Sequence, residues 1–185
     1  MLCKEEGRCT MSGTKKAEDY SPEFMEIFLS TIDNCDDKET IRKIVGRFID
    51  CGLPVKVKRY NQKVMDGTYR ILCFIKKSAE AVIINNKGMG REGVSIQVRI
   101  VDRSVLDKLD ELSENIRNQI LNAADCGHHS VKCDKQYAFT YRKNKHEKCH
   151  FLCNNFCFQN MNEQDVYTLM EIIKNEIEYK LTRAK

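Results

Sequence analysis

"TYRILCFIKKSAEAVIINN", residues 68–86, decides what kind of fold this chain makes. It holds two short runs rich in apolar and β-branched residues, "TYRILCFIKK" at 68–77 and "AEAVIINN" at 79–86, the first preceded by the turn signal "DG" at 66–67. Short apolar runs bounded by turn residues read as strands. Upstream, "VKVKRY" at 55–60 alternates Val55 and Val57 with Lys56 and Lys58. Downstream of the glycine-rich turn "NKGMGREG", 86–93, the run "VSIQVRI" puts Val94, Ile96, Val98 and Ile100 on one face and Ser95, Gln97 and Arg99 on the other. Four such runs with period two predict a four-stranded antiparallel sheet with one buried face.

Helices flank this sheet. In "SPEF", 21–24, Ser21 suits the N-cap, Pro22 the first helical position and Glu23 the positive end of the helix dipole. Phe24, Ile27, Phe28 and Ile32 then form the expected apolar stripe. After the polar turn "DNCDD", a second helix is expected from about Lys38, with Ile41, Ile44, Val45, Phe48 and Ile49 as its stripe and Gly52 and Pro54 as its stop. The stretch from Ser104 to about residue 125 carries Val105, Leu109, Leu112, Ile116, Ile120 and Ala123 at helical spacing. It predicts a long helix capped by Ser104, or two pieces with a kink at Ser113. Next, "QYAFTYRKNKHEKCHFL" reads as a hairpin turning at "RKNK", and "FCF" at 156–158 as a last short strand. Asn162 caps a closing amphipathic helix striped by Val166, Leu169, Met170, Ile173, Ile177 and Leu181. The fold class is therefore α+β: an N-terminal helical pair, a four-stranded antiparallel sheet, a long helix, a Cys-rich β-hairpin and a C-terminal amphipathic helix.

The chain has 185 residues, 42% apolar and 31% charged, which suits one globular domain with an ordinary core. Residues 1–20 read as a polar tail and 21–185 as a single domain. A soft boundary near 125 sets off 126–160 as a Cys-rich hairpin sub-module. Thirty-one basic against 27 acidic residues leave a net charge of +4, a milder excess than a dedicated nucleic-acid binder carries. The first twenty residues show no signal-peptide pattern, and "ILCFI" and "AVII" are too short to cross a bilayer. The expected place is the cytoplasm, with no membrane partner. Thiols stay reduced there, so clustered cysteines point to ligands or redox groups rather than a disulfide framework.

Ten cysteines make that clustering the main chemical signal. "CGHHSVKC" at 126–133 and "CHFLCNNFC" at 149–157 hold five of them with three histidines. Zinc takes about four soft ligands at tetrahedral corners, usually in two pairs. Cys126 and Cys133 bracket one loop, and Cys149 and Cys153, an even number apart, face the same way on a strand. These four are the candidate structural zinc ligands, with Cys157 and His129 as substitutes. The spacings are looser than the common zinc knuckle, and buried core thiols are the plain alternative. A thiol-dependent enzyme or redox protein would use Cys126 or Cys149, with His128, His129 or His150 as neighbouring base. No serine-triad signature, P-loop or HExxH motif is present.

The expected function is a small binding or regulatory module, more a non-enzyme than an enzyme. A sheet with helices on one face leaves the other for a ligand or for a second copy in a homodimer. An adaptor for nucleic acid or protein through a Lys-rich sheet face is the third class. Neither substrate nor partner is readable from these residues.

Overall fold

The computed structural model describes residues 18–59, 68–76, 79–87, 93–125, 137–148 and 156–182. A short strand β1 (Glu18–Asp19) leads into helices α1 (Pro22–Ser30) and α2 (Cys35–Asp50). Strands β2 (Val55–Arg59), β3 (Tyr69–Lys76), β4 (Ala79–Asn85) and β5 (Ser95–Val98) follow. Helix α3 (Ser104–Asp107), a 3-10 turn (Leu109–Glu111) and helix α4 (Glu114–Leu121) come next. The hairpin β6 (Tyr137–Tyr141) and β7 (Asn144–Lys148), the strand β8 (Phe156–Phe158) and the helix α5 (Glu163–Thr182) complete the described chain.

The main sheet is antiparallel, in the order β1-β2-β3-β4-β5-β8. All four expected strands are in it. Two short edges are added: Glu18–Asp19, which polarity had assigned to the tail, and "FCF", which joins this sheet rather than the hairpin. The hairpin β6-β7 forms a separate two-stranded sheet.

Register turns the period-two pattern into layers. Val55, Cys73, Val82, Val98 and Phe156 stand directly across from one another, and so do Val57, Ile71, Ile84, Ile96 and Phe158. Paired residues point to the same side of a sheet. These ten belong to one continuous apolar cluster with Phe28, Leu29, Ile41, Ile44 and Phe48 of the helical pair and Leu169, Ile172, Ile173 and Ile177 of α5. Full burial of each such side chain stabilises by about 1.5–3 kcal/mol, so this single layer carries most of the fold.

Several local expectations shift. Ser21 caps α1, its hydroxyl accepting from Phe24 N at 3.2 Å. The buried face of that helix is Met25, Phe28 and Leu29, while Ile27 is 38% exposed. Helix α2 starts three residues before the expected Lys38, because Asn34 Oδ1 accepts from Asp36 N (2.8 Å) and Asp37 N (3.0 Å). Both acids then sit at the positive end of the dipole. Gly52, at φ +65°, closes that helix as expected.

The helical stretch after β5 is broken as the Ser113 kink anticipated. Leu112 and Ser113 are extended (ψ 155° and 149°), and α4 ends at Leu121. Ser104 is not the cap of α3: Asp102 Oδ1 accepts its backbone N–H at 3.0 Å. Asn162 does cap α5. It forms a reciprocal pair with Asp165, Asp165 N donating to Asn162 Oδ1 (2.9 Å) and Asn162 N to Asp165 Oδ2 (3.0 Å).

Candidate functional site

Of the predicted metal ligands, Cys126, Cys133, Cys149, Cys153 and the substitute His129 lie outside the described residues, as do His128 and His150. Cys157 lies within them, half-buried on β8 opposite Gln97. Among the described residues, no group of three or more histidines, cysteines and acids is placed to hold a metal ion.

The described chain does fix the points from which the two Cys-bearing segments depart. Asp125 and Lys148 form an isolated antiparallel β-bridge. Lys148 is buried, and its Nζ donates to the Ala123 carbonyl at 2.6 Å and to Asp125 Oδ1 at 2.8 Å. This one ammonium serves an orphan carbonyl just past the end of α4 and closes an ion pair across the bridge. The Lys148 hydrogen bond, reinforced by its charge, holds the Asp125 carboxyl below the usual carboxylate range. Cys126 and Cys149 are the next residues in the sequence after the two bridged ones. A long polar side chain on a short strand gave no sign that it would be buried, and sequence reasoning missed Lys148.

The thiols within the described residues differ in kind. Cys73 is fully buried in the sheet, and burial pushes its thiol far above the ordinary range, which makes it an inert core residue. Cys35 is exposed and Cys51 half-buried. A thiol enzyme would need a histidine beside Cys126 or Cys149, and those residues lie outside the described chain.

The second candidate is the sheet face turned away from the core. Asp19, Lys56, Leu72, Ile83, Gln97 and Cys157 form one cross-strand row, and Lys58, Arg70, Asn85 and Ser95 the next. Arg99 continues the face beyond Gln97, since Val98 and Ile100 on either side of it are core residues. Leu72 and Ile83 are only 7% and 8% exposed, yet both stand outside the continuous apolar cluster that joins sheet to helices. Lys56 pairs with Asp19 at 3.3 Å. Asn85 is buried, and its Nδ2 donates to Ser95 Oγ at 3.1 Å, while its Oδ1 has no hydrogen-bond partner. The notion of a Lys-bearing face was legible in "VKVK". The arginines and amides that register adds to it were not.

Two buried acids were also missed, because each interrupts an apolar stripe on α5. Asp165 accepts from Ser113 Oγ (2.6 Å), Asn115 Nδ2 (2.8 Å) and Asn162 N, tying α4 to α5. Burial raises its pKa, but the three hydrogen bonds outweigh it and hold the carboxyl below its ordinary value. Glu176 Oε1 accepts from Val101 N and Asp102 N, both at 2.7 Å, and Oε2 lies 3.7 Å from Lys180 Nζ. Here burial wins, and the Glu176 pKa is raised despite those contacts. Both acids have structural partners of their own.

No described helix is long and apolar enough to cross a membrane. No protein-family model, no curated protein and no solved structure matches the chain.

Proposed function

We propose that the chain is a small cytoplasmic binding or regulatory module in which Cys126, Cys133, Cys149 and Cys153 hold a structural zinc ion. The observation that carries the metal reading is the bridge between Asp125 and Lys148. Each of its residues is one peptide bond from a candidate ligand, so the segments that carry Cys126 and Cys149 leave from one bridge, in opposite directions because the bridge is antiparallel. The hairpin β6-β7 then brings the chain that follows Cys133 back alongside β7, ahead of Cys149. Structural zinc sites are commonly built from two ligand pairs supplied by two segments of the chain, here 126–133 and 149–153. A two-stranded hairpin is marginal by itself, and a metal would supply the cross-link that its small contact area does not. Four thiolates fill the coordination sphere and leave no open position, so the ion would serve the fold and the sheet would serve recognition. Cys157 and His129 are the substitute ligands.

The test is metal content by mass spectrometry under non-denaturing conditions, with a parallel count of reactive thiols. One zinc per chain, lost in Cys133→Ser together with the ordered hairpin, is the expected result. A folded, metal-free chain with every exposed thiol open to alkylation would end the zinc reading. A single rapidly alkylated thiol in that same metal-free chain would turn attention to a nucleophilic or redox cysteine.

A further inference from the structure

The net charge of +4 describes the whole chain, but strand register sorts charge by face. Lys56 and Lys58 on β2, Arg70 on β3 and Arg99 after β5 all fall on the side of the sheet opposite the core. Two carboxylates accompany them among the described residues: Asp19, paired with Lys56, and Glu80, which stands across from Phe74. Lys56 and Lys58 are separated by about 7 Å along their strand, and β2 and β5 lie three strand spacings apart, about 14 Å. The cations thus frame a patch rather than a line.

What lies inside that frame is not simple solvated surface. Leu72 and Ile83 make an apolar floor. Phe74 is half-buried and belongs to no part of the continuous core, although Cys73 and Ile75 on either side of it do. Gln97, half-buried, stands beside Ile83 with an amide. Among the buried polar atoms on this face, Asn85 Oδ1 and Arg99 Nε have no hydrogen-bond partner. Turning the Asn85 amide over does not help, because only one of its ends can meet Ser95 Oγ. Buried polar groups are normally paired, and unpaired ones call for a partner.

We infer that this face binds single-stranded nucleic acid, with Lys58, Arg70 and Arg99 meeting the phosphates, Phe74 stacking on a base, and Gln97 and the Asn85 amide offering hydrogen bonds. An antiparallel sheet with cations, a flat aromatic and amides is suited to an unpaired strand, whose bases are splayed and free to stack. A duplex would present mainly phosphates and leave the aromatic and the floor unused. A bilayer would need protruding apolar groups, whereas Leu72 and Ile83 are recessed. The inference rests on the binding-module reading and names its partner, but it does not depend on the metal.

The experiment uses the full chain and short fluorescein-labelled oligothymidylate and oligouridylate, read by anisotropy. With three or four phosphate contacts, binding should weaken by about 20- to 50-fold between about 50 and 200 mM salt. Lys58→Gln with Arg99→Gln should lose most of the salt dependence, and Phe74→Leu should weaken binding by about tenfold, each with an unchanged melting temperature. Because Phe74 is half-buried, Lys56→Gln with Lys58→Gln, both on half-exposed positions, provides a second test that leaves packing alone. No retention of either strand at low salt by the folded chain overturns the inference. So does retention that the charge substitutions do not change. Stronger binding to phosphatidylcholine–phosphatidylserine vesicles, lost in the same variants, reassigns the face to lipid. Concentration-dependent self-association through the face, with no competition from the strand, reassigns it to a homodimer. Zinc is measured on the same sample. Zinc present with no strand bound removes the nucleic acid and leaves the module. A strand bound without zinc removes only the metal.

Discussion

Lys148 Nζ sits between the Ala123 carbonyl and Asp125 Oδ1, at 2.6 and 2.8 Å, while the backbones of Asp125 and Lys148 bridge. The side chain of Lys148 is 5% exposed and that of Asp125 77% exposed, so the two halves of the pair are unequal. Removing the ammonium strands a carbonyl at a helix end inside the protein. Removing the carboxylate merely returns the bridge to solvent-screened contacts. Lys148→Met should therefore cost about 2 kcal/mol in urea unfolding. Amide exchange should rise along β7 and the end of α4. Asp125→Asn should cost clearly less. If the two variants are equally mild, Lys148 is not the pin that joins hairpin to helix.

The same bridge has a pH signature. Asp125 has a lowered folded pKa, so its contribution is present above the unfolded carboxylate value and is lost as pH falls through the lowered one. On the zinc proposal, metal content should also fall in Lys148→Met at neutral pH, because the bridge beside Cys126 and Cys149 is loosened. Metal content of the purified variant checks this.

The tip of the hairpin stores a backbone cost. Arg142 and Lys143 have φ of +46° and +71°, and Tyr141 pairs with Asn144 directly beyond them. A two-residue turn with both central residues left-handed matches strand twist but disfavours side chains with a Cβ. Arg142 recovers something by lying over the Tyr141 ring at 5.1 Å and reaching Asp110. Lys143 forms neither of these contacts. Lys143→Gly should raise stability by about 1 kcal/mol, read as an upward shift of the melting temperature. Destabilisation would mean that Lys143 carries a contact worth more than its strain.

Legibility followed the strength of the periodic signal. The four central strands were readable because "VKVK" and "VSIQVRI" alternate, and because β-branched runs with turn residues between them have few other solutions. The two-residue and three-residue edges were not readable as members of this sheet, since strands that short carry no period. The Asn34 start of α2 is legible in principle, since Asn34 with Asp36 and Asp37 behind it is a capping signal, but the apolar stripe begins only at Ile41. Helix α1 shows the limit most clearly. Phe24, Ile27, Phe28 and Ile32 make as regular a stripe as Met25, Phe28, Leu29 and Ile32, and only the docking angle on the sheet chooses between them. Four of the five candidate cysteines lie outside the described residues, and the fifth, Cys157, is half-buried on β8.

That choice of stripe is measurable. Leu29 is buried and Ile27 is 38% exposed, two residues and about 200° apart around the same nine-residue helix. Leu29→Ala should cost about 2–5 kcal/mol through lost burial and the cavity left behind. Ile27→Gln should change stability by no more than about 0.5 kcal/mol, as surface substitutions do. A large loss at Ile27 with a small one at Leu29 would restore the stripe expected from the sequence.

Asp165 and Glu176 lie on one face of α5 and should respond to pH in opposite senses. The Asp165 pKa is lowered in the folded state. Burial works against the charge, but bonds from Ser113, Asn115 and Asn162 N overcome it. Its stabilising contribution is present above the unfolded carboxylate pKa and is lost as pH falls through the lowered value. The Glu176 pKa is raised by burial, which its bonds to Val101 N and Asp102 N only partly offset. Its contribution is complete below the unfolded pKa and is lost as pH rises through the raised value. Asp165→Asn should cost about 2 kcal/mol at neutral pH, since hydrogen bonds to a charged group are the stronger kind, and that deficit should shrink towards acid. Glu176→Gln keeps an acceptor for the two backbone N–H groups but cannot ionise. The wild type should therefore gain stability over Glu176→Gln as pH falls through the raised pKa. Urea titrations of both variants and the wild type across the acid range give two difference curves. Opposite slopes follow from hydrogen bonds winning at one carboxylate and desolvation at the other; slopes of the same sign would mean that one balance has been assigned to the wrong side.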